Sequence, residues 1–181
     1  MIGLTRGTVR LADYSVRWPE IAGETIRQLQ GIFGVKAADI QHIGSTAIIG
    51  IKAKPIIDIA VGVHTLCDLE KELQMLREAG YRESHNRFST TNRLFVMESE
   101  ADGSIIRTHQ IHILPFDSEQ WHHYVDFRDY MNAFHEKARE YETLKIANAA
   151  ECGNSQRVYT DGKQAYMKRI LNEVQTWTEN R

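Results

Sequence analysis

The spacing of apolar residues changes several times along this chain, and each change marks an element. Between Trp18 and Phe33, the residues Ile21, Ile26, Leu29 and Phe33 fall roughly on one side of a 3.6-residue winding, with Gly31 and Gly34 about the end. That spacing predicts a helix over 18–33. "DIQHIG" then reads as a short strand running into a Gly44-Ser45 turn, and "PIIDIAVGV" is β-prone and almost wholly apolar. Such a run predicts a central strand buried on both faces. Leu66, Leu69, Leu73 and Leu76 return to helical spacing and predict a helix over 66–79, stopped by Gly80. "NRLFVMES" and "SIIRTHQIHILP" are two further strands, and the turn-like "EADGS" between them predicts an antiparallel pair. Near the start, "TVRLAD" reads as a short edge strand. Beyond Pro115 the pattern turns helical over 118–130, 133–151 and 160–178, with "AECGNSQRVYT" as the loop before the last helix.

This order predicts an α+β fold: a small mixed β-sheet with helices packed on it and a C-terminal helical region. No Gly/Ser/Pro-rich linker, repeat or low-complexity segment interrupts the 181 residues, so residues 1–181 are expected to form a single domain.

Composition narrows the partners. A net charge of −2 and a pI near 6.4 argue against general nucleic-acid binding, while leaving room for a local basic patch around a phosphorylated ligand. Cys67 and Cys152 stand far apart, in no metal-like spacing, and read as thiols of a reducing compartment. With no signal-like N-terminus and no run of about 20 apolar residues, the expectation is a cytoplasmic protein without membrane association.

Four groups of residues could carry chemistry. Gly44 and Ser45, with Thr46 behind them, form a turn whose glycine permits close backbone approach and whose hydroxyls can cap a helix beginning there. The N–H groups of that first turn would suit phosphate; the same turn, taken on its own, reads more simply as a hydroxyl-capped strand-to-helix connection without a ligand. Asp58 interrupts an apolar strand, where an ionised carboxylate is costly unless paired or bound to metal. By alternation Ile56, Asp58 and Ala60 share one face, and Ile57, Ile59 and Val61 take the other. In "RTHQIHILP", Thr108, Gln110 and His112 share a face opposite Arg107 and His109, and an imidazole there is either a metal ligand or a half-buried, satisfied side chain. Lys54, Arg87, Arg93 and Lys163 are cations able to clamp phosphate oxygens, or are simply solvated charges. His122 and His123 read as helix-surface residues with no role. Phe127, Tyr130 and Phe134 read as core rather than as a dimer face.

In order, "HIGSTAIIGIKAKPIIDIAVGV", "THQIHILPF", "WHHYVDFRDYM", "YETLK" and "YTDGKQAYM" resemble the GrpB family of bacterial proteins over nearly the whole chain. That family is similar in fold to the nucleotidyltransferases. The resemblance implies that the Gly44-Ser45 turn meets the phosphates of a nucleotide or phosphorylated small molecule and that Asp58 binds metal. Working nucleotidyltransferases carry two acids separated by one residue on this strand and clamp two Mg²⁺ ions. Here the second position is Ala60, and the strand expected to carry a third acid offers Gln110 and His112. A donor set of Asp58, His112 and Gln110 suits one divalent ion, Mg²⁺, Mn²⁺ or Zn²⁺, with imidazole favouring the latter two. Two functions lead, ahead of a metal-dependent hydrolysis by Asp58 and His112 that needs a third ligand. One is a metal-dependent, nucleotidyltransferase-like transferase using Asp58 and His112, with Gly44, Ser45, Thr46, Lys54, Arg93 and Lys163 around the phosphates. The other is a binding or accessory module of the same fold without catalysis, since GrpB-like domains also occur fused to dephospho-coenzyme A kinase.

Overall fold

A computed structural model describes residues 2–84, 92–153, 155–162 and 164–180. Six strands form one mixed sheet: β1 (Leu4–Thr5), β2 (Ala37–Ile43), β3 (Ile57–Val63), β4 (Tyr81–Glu83), β5 (Arg93–Ala101) and β6 (Ser104–Pro115). Their order is β2-β3-β6-β5-β4, with β1 added along β6. The expected central strand is β3, antiparallel to β2 and parallel to β6. β5 and β6 form the expected antiparallel pair, closed by Asp102-Gly103, both at positive φ. Two such residues make the tight turn that matches strand twist.

Helices α1 (Arg17–Phe33) and α2 (Glu70–Glu78) cover one face of the sheet. Trp18, Ala22, Leu29 and Phe33 of α1, with Leu73 and Leu76 of α2, pack on Ile57, Ile59, Val61, Val63, Phe95, Ile111 and Ile113. The α1 repeat is the 3.6-residue stripe of an amphipathic helix, and Gly34, at φ +48°, ends it.

The opposite face meets the C-terminal helices α3 (Glu119–Ala133), α4 (His135–Glu151), α5 (Gln156–Asp161) and α6 (Gln164–Glu179). Ser118 caps α3 by accepting from the Trp121 N–H at 3.3 Å. Phe127 and Tyr130 join Tyr141, Tyr166 and Ile170 in a second core that also receives Ile48 and Ile51, with Phe134 packed at its margin. These aromatics are interior, as their spacing predicts.

Local expectations fail in four places. "TVRLAD" is not a strand; Ala12 makes an isolated bridge to Ala53, and the strand at this end is Leu4–Thr5. The helix expected from Leu66 starts at Glu70, because Asp68 takes φ +57° and the Thr65 hydroxyl accepts the Cys67 N–H. Neither feature continues a helix. Ser155 accepts the Val158 N–H and caps α5 inside the stretch expected as a loop, so the last helix begins at Gln164. The helix expected behind Gly44-Ser45 is a single 3₁₀ turn, Ser45–Ala47. Two β-branched residues and a glycine, Ile48, Ile49 and Gly50, follow it and are poor continuations.

Candidate functional site

Register brings the strand candidates together. Asp58 of β3 pairs with Ile43 on one side and Gln110 on the other; Ala60 pairs with Gln41 and His112. Paired residues point the same way, so Asp58, Gln110 and His112 share the face turned toward α3 and α4. His109 pairs with Ile57 and points to α1. The Asp58 Oδ1 to His112 Nε2 distance is 3.8 Å, and both side chains are mostly enclosed.

The Gly44-Ser45 turn is built against that carboxylate. Gly44 has φ +71° and ψ −173°, a conformation essentially confined to glycine. A Cβ there would lie 2.5 Å from Asp58 Oδ2. Turn and carboxylate thus share one space that only glycine leaves open. Thr46 is buried behind the turn, where its hydroxyl donates to the Ile56 carbonyl at 3.2 Å and contacts His42 Nε2 at 3.0 Å. With its proton committed to Ile56, Thr46 accepts from an Nε2–H of a neutral His42. Burial pushes the His42 pKa down to about 4, Asp58 pulling upward and Arg128 adding to the fall. Thr46 is therefore a staple of the turn.

Helical residues complete the surroundings. The Tyr124 ring lies 5.2 Å from that of His112, and its hydroxyl accepts from Gln120 at 3.0 Å. Tyr141 of α4 meets the Ser45 hydroxyl at 3.5 Å. Burial raises the pKa of both phenols; the charge of Asp58 pushes the same way, and the Gln120 and Ser45 hydrogen bonds oppose. Arg128 donates to the Gln41 amide and the His42 carbonyl at 2.8 Å each and pins the end of β2 to α3. Asn132 of α3 binds the Ile49 N–H and the Ala47 carbonyl, and Glu142 of α4 accepts the Lys52 N–H. The C-terminal helices thereby hold the 45–54 connection in place.

The expected cations are dispersed. Lys54 sits over the Tyr159 ring of α5, 4.2 Å from its centre. Arg93 pairs with Ile113 on the α1 face and makes a two-pronged ion pair with Glu83 at 2.9 Å, so it does not join Asp58. Arg87 and Lys163 lie outside the described residues. His109 is held by the Thr25 and Thr108 hydroxyls at 3.2 and 2.9 Å, and burial lowers its pKa. It is the satisfied sheet histidine of the two alternatives. His122 lies between Asp117 and Asp126 on the α3 surface.

No cluster of three His, Cys, Asp or Glu side chains suited to a metal is found among the described residues. Asp58, His112 and the neutral amide of Gln110 offer one carboxylate, one imidazole and one amide, a donor set that does not fit a pair of Mg²⁺ ions. No helix among the described residues is long and apolar enough to cross a membrane.

The family model "GrpB protein" matches residues 8–173. The chain belongs to the GrpB family. It is 37% identical to "Glutamate-rich protein GrpB" of Alkalihalophilus pseudofirmus, covering 96% of this chain and all of that protein. The crystal structure of conserved protein GrpB from Enterococcus faecalis matches with a TM-score of 0.81 and 27% identity, over 93% of this chain and 99% of the other. A dephospho-CoA kinase of Mycolicibacterium paratuberculosis is 33% identical over 81 residues, 43% of this chain and 20% of that protein. The α+β arrangement of this GrpB chain, with its six-stranded mixed sheet, is consistent with the nucleotidyltransferase-like fold.

Sequence reasoning missed Tyr124, Arg128 and Tyr141, because on helices they read as ordinary packing positions. One signal was available for Tyr141: "YETLK" places Lys145 one turn after it, on the buried side that also carries Ala138 and Glu142.

Proposed function

We propose that this GrpB protein binds a nucleotide or other phosphorylated small molecule in the cleft between the Gly44-Ser45 turn, Asp58 and the α3–α4 helices. The observation that carries this reading is the shared space of Gly44 and Asp58. A carboxylate 2.5 Å from where a Cβ would stand, beside a backbone conformation open to glycine, marks a junction that tolerates no side chain on the turn and lets the backbone approach a ligand closely. Asp58, His112 and Gln110 would hold one divalent ion, Mn²⁺ or Zn²⁺ before Mg²⁺, which would neutralise charge on the phosphates. In a transfer reaction an acceptor hydroxyl would form the new O–P bond, pyrophosphate would leave from a nucleoside triphosphate, and His112 would take the hydroxyl proton. Gly44 and Ser45 would meet the phosphates; Lys54, held over the Tyr159 ring, would contribute only by leaving it.

Calorimetric titration of the protein with ATP, GTP, CTP and inorganic triphosphate, each with and without Mn²⁺, tests the reading. Binding that is lost in Asp58→Ala supports it. Absence of binding by any of them at millimolar concentration sinks it.

A second reading draws on the similarity to a segment of a dephospho-CoA kinase: a module that binds beside a nucleotide enzyme and performs no transfer. It predicts binding without turnover, and a cellular role that survives Asp58→Ala.

A further inference from the structure

We propose that Tyr141 is a ligand-contacting residue of this cleft, its phenolic hydroxyl and that of Ser45 forming a two-hydroxyl clamp on one phosphate group. The inference rests on the reading above and assigns the phosphate contact to a helix that the nucleotide-binding turn itself does not include.

Three observations carry it. First, Tyr141 is almost wholly buried, yet its oxygen meets only the Ser45 hydroxyl, at 3.5 Å, among the described residues. Hydroxyl pairs normally close to about 2.7–2.8 Å, and buried polar groups are normally well bonded. The contact is long and leaves hydrogen-bonding capacity on both oxygens, at the turn beside Asp58. Second, the ring is fixed. It stacks on Tyr166 with centres 5.5 Å apart and stands edge-on to Phe127 at 5.4 Å. Its position is set by packing, so the long contact is not a side chain adrift. Third, a buried cation lies against it. Lys145 is 1% exposed; its Nζ donates to the Lys52 carbonyl at 2.5 Å and sits 4.6 Å from the centre of the Tyr141 ring. A cation on the π-face draws electron density from the ring and makes the O–H a better donor. Burial also holds the phenol in its protonated, donating form.

The geometry fits an anion with several acceptor oxygens. A phosphate oxygen placed at the turn would take one hydrogen bond from Ser45 and one from Tyr141, and the two hydroxyls would no longer have to satisfy each other. A purely structural tyrosine, serving only the aromatic cluster, would be indifferent to loss of its hydroxyl.

The test uses inorganic triphosphate and ATP, each with Mn²⁺, titrated into the wild-type protein and into Tyr141→Phe, Ser45→Ala and the double variant. Tyr141→Phe keeps the ring and its stacking. Hydrogen bonds to charged groups are worth enough that each single variant should weaken binding by about 10-fold or more. Melting temperature in the absence of ligand should stay close to wild type, and adenosine, which lacks phosphate, should show no difference between wild type and variant. Unchanged triphosphate affinity in Tyr141→Phe, with Ser45→Ala weakened, overturns the role of Tyr141 and leaves the cleft assignment standing. A wild-type protein that binds neither probe overturns both. Should Tyr141→Phe melt well below wild type, Ser45→Ala decides: the clamp demands a 10-fold loss there too, with melting unchanged, and normal binding by that variant refutes it.

Discussion

The two faces of β3 are built to opposite rules. Ile57, Ile59, Val61 and Val63 turn to α1 and α2, and none has measurable exposure. Asp58, Ala60 and Gly62 turn to the C-terminal helices. At Gly62 the helix comes so close that an added Cβ would lie 2.7 Å from the Trp121 ring, whereas at the other end the Asp58 side chain keeps 26% of its surface exposed. Small residues let α3 close one end of this face and leave the other end less tightly packed around a carboxylate. One face maximises apolar burial; the other gives up packing for polar groups, and it is there that a ligand would be held.

The sharpest way to break this comparison is to mutate both faces at neighbouring positions. Ile59→Ala removes a fully enclosed side chain and should cost about 2–5 kcal/mol of unfolding free energy in a denaturant titration. Asp58→Ala should leave the denaturation midpoint nearly unchanged while abolishing triphosphate binding. Equal destabilisation by the two would mean that Asp58 is a structural residue.

Next in size is an acid effect that links the faces. His42 pairs with Ile59 on the apolar face and braces the Gly44-Ser45 turn through Thr46. Its folded pKa is about 4, against 6.5 for a free imidazole. The unfolded chain therefore takes up a proton first as pH falls. The stability tied to neutral His42 is fully present above pH 6.5 and is lost between there and about pH 4, to a total of about 3 kcal/mol. Burial lowers the His109 pKa as well, so the two losses overlap in part of that range. His42→Gln, which keeps a donor for Thr46, should flatten the fall between pH 6.5 and 4 measured by denaturant midpoints. An unchanged pH profile would show that His42 is not buried in its neutral form.

Much of this was legible from residues alone. β3 announced itself by its β-branched run, and the β5–β6 pair by Asp102-Gly103. Alternation separated His109 from His112 and put Gln110 on the His112 face, because a two-residue period admits only two faces; the pairing of Gln110 with Asp58 came only with the β3–β6 register. Three residues of β4 are too few to show any period. The 3₁₀ turn at Ser45, the caps of α5 and the left-handed Asp68 depend on single backbone angles that composition does not encode. The site was half-visible for a related reason. Asp58 and Gly44-Ser45 are anomalies in an apolar context, whereas Tyr124, Arg128 and Tyr141 look like ordinary helix positions until tertiary packing brings them to His112, Gln41 and Ser45. Arg93 shows the converse: a cation near the right strand in sequence faces the wrong side of the sheet.

Gly44→Ala probes the junction between turn and carboxylate. The new methyl would meet Asp58 Oδ2, Cβ and Cγ at 2.5, 3.0 and 3.1 Å, in a backbone conformation that alanine rarely adopts. Strain of this kind costs about 1–3 kcal/mol. Because relief requires Asp58 to move, binding should suffer more than stability, and triphosphate affinity should fall below detection in a protein that still melts cooperatively. Retained affinity would separate the turn from the carboxylate and remove the main support for a joint site.

The smallest effect should come from Arg93→Ala. Its guanidinium is committed to Glu83, with both partners about one-third exposed, on the face away from Asp58. Exposed ion pairs contribute about 0–1 kcal/mol, so the melting curve should barely move. Triphosphate affinity should be that of the wild type within error, and the same titration that detects Tyr141→Phe provides the measurement. A ten-fold loss of affinity in Arg93→Ala would place phosphate within reach of β5 from the α1 side, and would erase the division of labour between the two faces of the sheet.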